Sequence, residues 1–140
     1  MMVARHAAGA HATVWRHSRY PMSSGAVGWS AVNRQSLLNA EPLVDAEAAG
    51  SAEHLPPAHV MCSVPLVHDG VLAAVLAVYT PKGKPFVEQQ LQLLELLAPQ
   101  LAAAVASVPV SKPTAETATR RTGARELQLV RGGMARASRG

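Results

Sequence analysis

Residues 59–80 read HVMCSVPLVHDGVLAAVLAVYT, two apolar runs rich in β-branched residues on either side of His68-Asp69-Gly70. Asp-Gly tolerates the positive φ of a tight reversal, so the pattern predicts an antiparallel hairpin. Pro65 has no backbone N–H to give to a ladder, which makes its strand an edge strand or bulges it there. The second strand is apolar on both faces, with Leu72, Ala74, Leu76 and Val78 on one and Val71, Ala73, Val75, Ala77 and Tyr79 on the other. A strand of that kind belongs mid-sheet, covered on both sides.

One cover is supplied after the turn PKGKP by the longest predicted helix, Val87 to Ser107. Val87, Leu91, Leu94, Ala98, Leu101 and Val105 recur at helical spacing and form the stripe expected against the sheet. A second stripe, Leu93, Leu96, Leu97 and Ala104, makes the helix apolar over more of its circumference than one sheet contact needs. Half of that helix wants another partner. Pro99 lies inside the pattern and has no N–H for the carbonyl of Glu95, so a kink or local unwinding is expected. Pro109 and Pro113 end the helix, SKPTAETATRRTG reads as a linker, and Arg125 to Ala137 reads as a weak helix interrupted by Gly132 and Gly133.

The first half is less regular. Residues 1–11 lack periodicity and read as a disordered or incomplete start, Thr13 to Arg19 as a short strand. Ser23 is a candidate N-cap for a short helix to about Arg34, weakened by Gly25 and Gly28. Ser36 to Asn39 reads as extended, and Ala40 to Pro57, with Pro42, Gly50, Pro56 and Pro57, as a long irregular connection. A chain of 140 residues holds one domain plus a tail, taken here as 12–108 and a basic 109–140. Hydrophobic residues make up 49 % of it, but Trp15, Tyr20, Trp29, Tyr79 and Phe86 are the only aromatics, so the core relies on Leu, Val and Ala.

Charge and cysteine narrow the function classes. Residues 1–108 carry six Lys/Arg against seven Asp/Glu, and residues 109–140 carry seven against two, so the net +4 belongs to the tail. The near-neutral body offers no phosphate-binding groove, which speaks against nucleic acid as a partner. The lone Cys62 excludes an intrachain disulfide and any multi-cysteine zinc site, and fits a reducing, cytoplasmic setting. No apolar stretch approaches the roughly 20 residues of a membrane-crossing helix. Six scattered histidines form no HExxH, and Glu41, Asp45, Glu47 and Glu53 form no acid–base pair, so no metal ligands and no catalytic residues are assigned.

Three segments carry a family resemblance. GAVGWSAVNRQSLLN, CSVPLVHDGVLAAVLAVYT and FVEQQLQLLELLAPQLAAAVA stand in order between about Ser24 and Ala106. They resemble the glycine- and tryptophan-bearing segment, the central hairpin and the closing helix of a GAF domain, especially those of bacterial signalling proteins that often precede an output domain. The resemblance implies an α+β fold related to PAS domains, an antiparallel sheet with a long C-terminal helix. Three departures stand out: the opening helix and first strand look truncated, Ala74 replaces a customary glycine, and no cap residue precedes the closing helix.

The resemblance also implies a ligand between one sheet face and the irregular helix–loop segment. The residues so placed are Trp29, Asn33 and Asn39, the loop to Pro57 with His54 and His59, and one face of the 60–66 strand including Cys62. Trp29 is either a core plug or a cavity wall, and the two asparagines either cap turns or present donors and acceptors to a polar ligand. Cys62 lacks the thiol partners of GAF-type methionine sulfoxide reductases and lies in no bilin-attachment motif. The expected function is therefore a non-catalytic sensory module that binds a small molecule of unknown identity, with no cofactor assigned, and acts through the 87–107 helix, which also offers a homodimer surface. A ligand-free dimerisation module is the alternative, and a reductase the third.

Overall fold

The computed structural model describes residues 1–42, 45, 59–81, 83–109 and 126–131. They form β1 (Met2–Ala8), α1 (Ala12–Trp15), β2 (Arg19–Tyr20), α2 (Gly25–Asn33), β3 (Leu37–Ala40), β4 (His59–His68), β5 (Val71–Pro81), α3 (Glu88–Ser107) and β6 (Glu126–Arg131). The strands make one six-stranded antiparallel sheet in the order β2-β1-β6-β5-β4-β3.

The predicted hairpin is β4–β5. Asp69 and Gly70 both take positive φ, 50° and 78°, the combination that lets a two-residue turn follow the twist of its strands. β5 lies between β4 and β6, as its two apolar faces require. Val75, Ala77 and Tyr79 pack with Trp15, Tyr20 and Val27 on the face covered by α1 and α2. Ala74, Leu76 and Val78 pack with Leu91, Ala98 and Ala102 on the face covered by α3. The register passes from Leu66↔Ala74 to Val67↔Leu72, leaving Ala73 unpaired as a bulge. The bulge shifts the alternation, so Leu72 packs with the α1/α2 face and not with Ala74. Pro65 is tolerated because β3 bridges β4 only at Ser63 and Met61, and the outer side of β4 has no strand beyond Ser63 among the described residues.

Both chain ends depart from the sequence reading. The expected disordered start at 1–11 is instead β1, paired with β2 and β6. Met2 and Ala4 are fully buried while Val3 and Arg5 are only partly so; small side chains make this alternation hard to see in the sequence. Thr13 to Arg19 is not a strand: Ala12–Trp15 is one helical turn, and it lays the Trp15 indole flat on Tyr79, centroids 4.6 Å apart and planes 11° from parallel. In the expected tail, residues 126–131 form β6, an inner strand between β1 and β5, where a weak helix had been the reading. Pairing with strands far away in sequence overrides local propensity there. Residues 110–125 and 132–140, which complete the tail reading, lie outside the described residues.

α3 follows its prediction within one residue at its start. Leu91, Ala98 and Ala102 are buried and Leu94 and Val105 half-buried, but Leu101 turns outward and Ala102 takes its place. The anticipated second stripe is exposed: Leu93 at 57 %, Leu96 at 73 %, Leu97 at 41 %. The start of α3 is better defined than the missing cap implied, because Gln90 Oε1 accepts the Val87 N–H at 2.9 Å. Ala74 is fully buried in the α3 cluster, where two of the three buried helix residues are alanines, so its extra methyl is accommodated. No helix among the described residues is long and apolar enough to cross a membrane.

Candidate functional site

Among the described residues, α2, which carries Trp29 and Asn33, and the Cys62 side chain lie on opposite faces of the sheet. Trp29 lies on α2 outside both apolar clusters and is 40 % exposed, so it is neither the core plug nor an enclosed wall. Asn33 Nδ2 donates to the Trp29 carbonyl at 2.9 Å, which is helix-end chemistry. Asn39 holds φ +55° and clamps Phe86: its Nδ2 donates to the Phe86 carbonyl and its Oδ1 accepts the Phe86 N–H, both at 2.8 Å. This side chain imitates a strand partner and fixes the approach to α3.

Cys62 lies on the other face of the sheet, fully buried under α3. Burial, with a smaller contribution from the Glu95 charge, pushes its thiol up to about 12, so at neutral pH it is a protonated core side chain. Ser63 of β4, like Met61, faces α2. Its hydroxyl is hydrogen-bonded to that of Ser30, both fully buried, and the pair ties α2 to the sheet. Removing one hydroxyl strands the other, so Ser63→Ala is expected to destabilise by about 1–3 kcal/mol, while Ser30→Ala/Ser63→Ala together stay close to wild type. Urea unfolding checks this; two single losses that simply add would contradict it.

Asp45, which the sequence placed in an irregular loop without a role, caps α2. Its carboxylate accepts the N–H of Ala26 at 2.8 Å and of Val27 at 2.9 Å. Gly25, at φ +70°, is required beside it, since a Cβ there would lie 2.5 Å from Asp45 Oδ1. Burial raises the Asp45 pKa from 3.8 to about 6, against the two backbone N–H groups that lower it. Between those values the folded state holds the proton more tightly than the unfolded one. This carboxyl therefore contributes stability that is complete below about pH 4 and lost as pH rises through about 6. The melting temperature of wild type relative to Asp45→Asn is expected to improve on going from pH 7 to about pH 4.5; a difference that is independent of pH would contradict the assignment.

The space between α2 and the sheet is filled, among the described residues, by Trp15, Tyr20, Met61 and Tyr79. His11 and His59 meet edge to face at 5.9 Å, and His54 lies outside the described residues. A hollow occurs elsewhere, where β3 stops short along β4. The α2–β3 turn (Arg34, Gln35, Ser36), β4 (Val64, Pro65, Val67) and α3 (Glu95, Ala98, Pro99) enclose an open groove of about 490 Å³. Its floor is apolar and its rim carries one cation and one anion.

Arg34 ends α2 in the left-handed region, φ 56°, where glycine is customary. Its N–H bonds the Ser30 carbonyl at 2.8 Å and its Nη1 donates to the Gly70 carbonyl at 2.6 Å, so the helix end is tied to the hairpin turn. Among the described residues, no three His, Cys, Asp or Glu side chains converge as metal ligands.

The sheet with its closing helix, the hairpin and the α2 segment together define the family. The GAF domain profile matches residues 3–106. The chain belongs to the GAF domain family. The match begins within β1. GAF domains are in general regulatory or sensory modules, and they commonly bind small molecules and dimerise. Neither a curated protein nor a solved structure matches the chain significantly. β6 lies beyond the matched segment, although it sits inside the GAF sheet.

Proposed function

We propose that this GAF domain is a non-catalytic regulatory module in which a small molecule bound in the groove between β4, the α2–β3 turn and α3 alters how α3 packs on a second copy of the chain. The observation that carries the reading is the double role of α3. Glu95, Ala98 and Pro99 form one wall of the groove, while Leu93, Leu96, Leu97 and Leu101 stand exposed on the same helix. A ligand that fits one packing of α3 better than another shifts the balance between them by its difference in affinity. Burial of Cys62, which keeps its thiol protonated, speaks against the thiol chemistry of a reductase.

Calorimetry and thermal-shift measurements with cyclic nucleotides, haem, amino acids and other small metabolites test the binding step. A saturable heat and a raised melting temperature with one class are expected. Silence from the whole panel on folded protein would favour the second reading, a dimerisation module without a ligand. The apolar packing beneath α2 among the described residues supports that alternative.

A further inference from the structure

We infer that the groove takes a small zwitterion, an amino acid with a compact aliphatic side chain, with its carboxylate on Arg34 and its ammonium group on Glu95. This rests on the reading that the domain binds a small molecule and adds the chemical class. Arg34 and Glu95 line one groove and form no ion pair with each other. A ligand carrying both charges satisfies both at once, whereas a purely anionic or cationic ligand brings its charge toward one unlike and one like neighbour.

Arg34 is held for this role. Its guanidinium has five N–H donors, and the bond from Nη1 to Gly70 fixes its direction while leaving further donors for a carboxylate. The left-handed backbone at Arg34 disfavours a residue with a Cβ, so arginine stands where glycine would suit the turn.

At the other end, Pro99 has no N–H to give to the backbone carbonyl of Glu95. The carboxylate of Glu95 stands beside this turn of the helix and suits an ammonium group. Val64, Pro65, Val67 and Ala98 supply the apolar floor for an aliphatic side chain. The open volume of about 490 Å³ lies in the range of small-molecule sites.

The test is calorimetry on the full chain with L-valine, L-leucine and L-isoleucine, alongside their N-acetyl and methyl-ester forms. At least one free amino acid is expected to bind, and loss of either charged end of the ligand is expected to weaken it by about tenfold or more. Glu95→Gln and Arg34→Gly should each weaken the free amino acid by a similar factor. Glycine suits the backbone at position 34, so the Arg34→Gly protein keeps its fold, which its melting temperature verifies. Equal affinity for wild type and both variants overturns the inference. So does binding of another ligand class while no amino acid binds, an outcome that leaves the small-molecule reading standing. If nothing binds from either panel, both fail together.

Discussion

Cutting the chain after Pro109 is expected to abolish cooperative folding, although it leaves the family-matched segment 3–106 intact. β6 pairs with β1 from Val3↔Arg131 to Ala8↔Leu127 and with β5 from Ala74↔Arg131 to Tyr79↔Glu126. Without it, β1 and β2 have no strand linking them to the hairpin, and two inner strands become open edges. Val130, fully buried in the α1/α2 cluster, leaves a gap. About ten ladder hydrogen bonds at ~1 kcal/mol each are at stake, which is on the scale of the ~5–15 kcal/mol that stabilises a whole domain.

The measurement is circular dichroism with thermal melting of the full chain and of 1–109. A broad or missing transition in 1–109, restored in part by a synthetic peptide spanning 124–134, is the expected pattern. A shortened chain that melts cooperatively within a few degrees of the full one would show that β6 is an accessory strand.

The second large effect concerns association. Leu93→Glu/Leu97→Glu is expected to convert a dimer into a monomer at every accessible concentration, without loss of thermal stability. In a two-fold interface each substitution occurs twice. Burying a leucine gains about 1.5–3 kcal/mol, and micromolar dimerisation amounts to about 8 kcal/mol in all, so losing four leucines while opposing four carboxylates removes most or all of it. Thermal stability is retained because both side chains already face solvent within one copy, 57 % and 41 % exposed. Sedimentation velocity decides the matter; an unaltered mass in the double variant would place any interface elsewhere.

What could be read from the sequence divides by locality. The β4–β5 hairpin, α2, β3 and α3 are each written in consecutive residues: Asp-Gly between β-branched runs, helical apolar spacing, and a bounded extended segment. β1 and β6 are not. Met2–Ala8 is mostly alanine, arginine and histidine, and Glu126–Arg131 reads as part of a basic tail; what makes them strands is Val3 meeting Arg131 and Ala4 meeting Val130. The covered face of α3 was legible, yet its exact phase was not, because alanines and leucines at 101 and 102 satisfy the same spacing.

The site was harder still. Trp29, Asn33, Asn39 and Cys62 were chosen by chemical type, and their partners turned out to be the Trp29 carbonyl, the Phe86 backbone and the apolar cluster under α3. The groove draws on three segments, around Arg34, Pro65 and Glu95, none of them unusual in isolation. Two clues were present. Pro99 inside a helical pattern already implied that the Glu95 carbonyl lacks its usual donor, and the lack of glycine after Asn33 meant that the left-handed end of α2 would fall on a residue with a side chain.

If α3 links the groove to a second copy, a ligand that favours one association state must change the dimer constant by the ratio of its affinities. Sedimentation velocity over a protein dilution series, with and without a saturating aliphatic amino acid, is the direct test. A shifted dimer constant is expected for wild type and no shift for Arg34→Gly. A dimer constant that stays the same while calorimetry shows the groove filled would contradict the link.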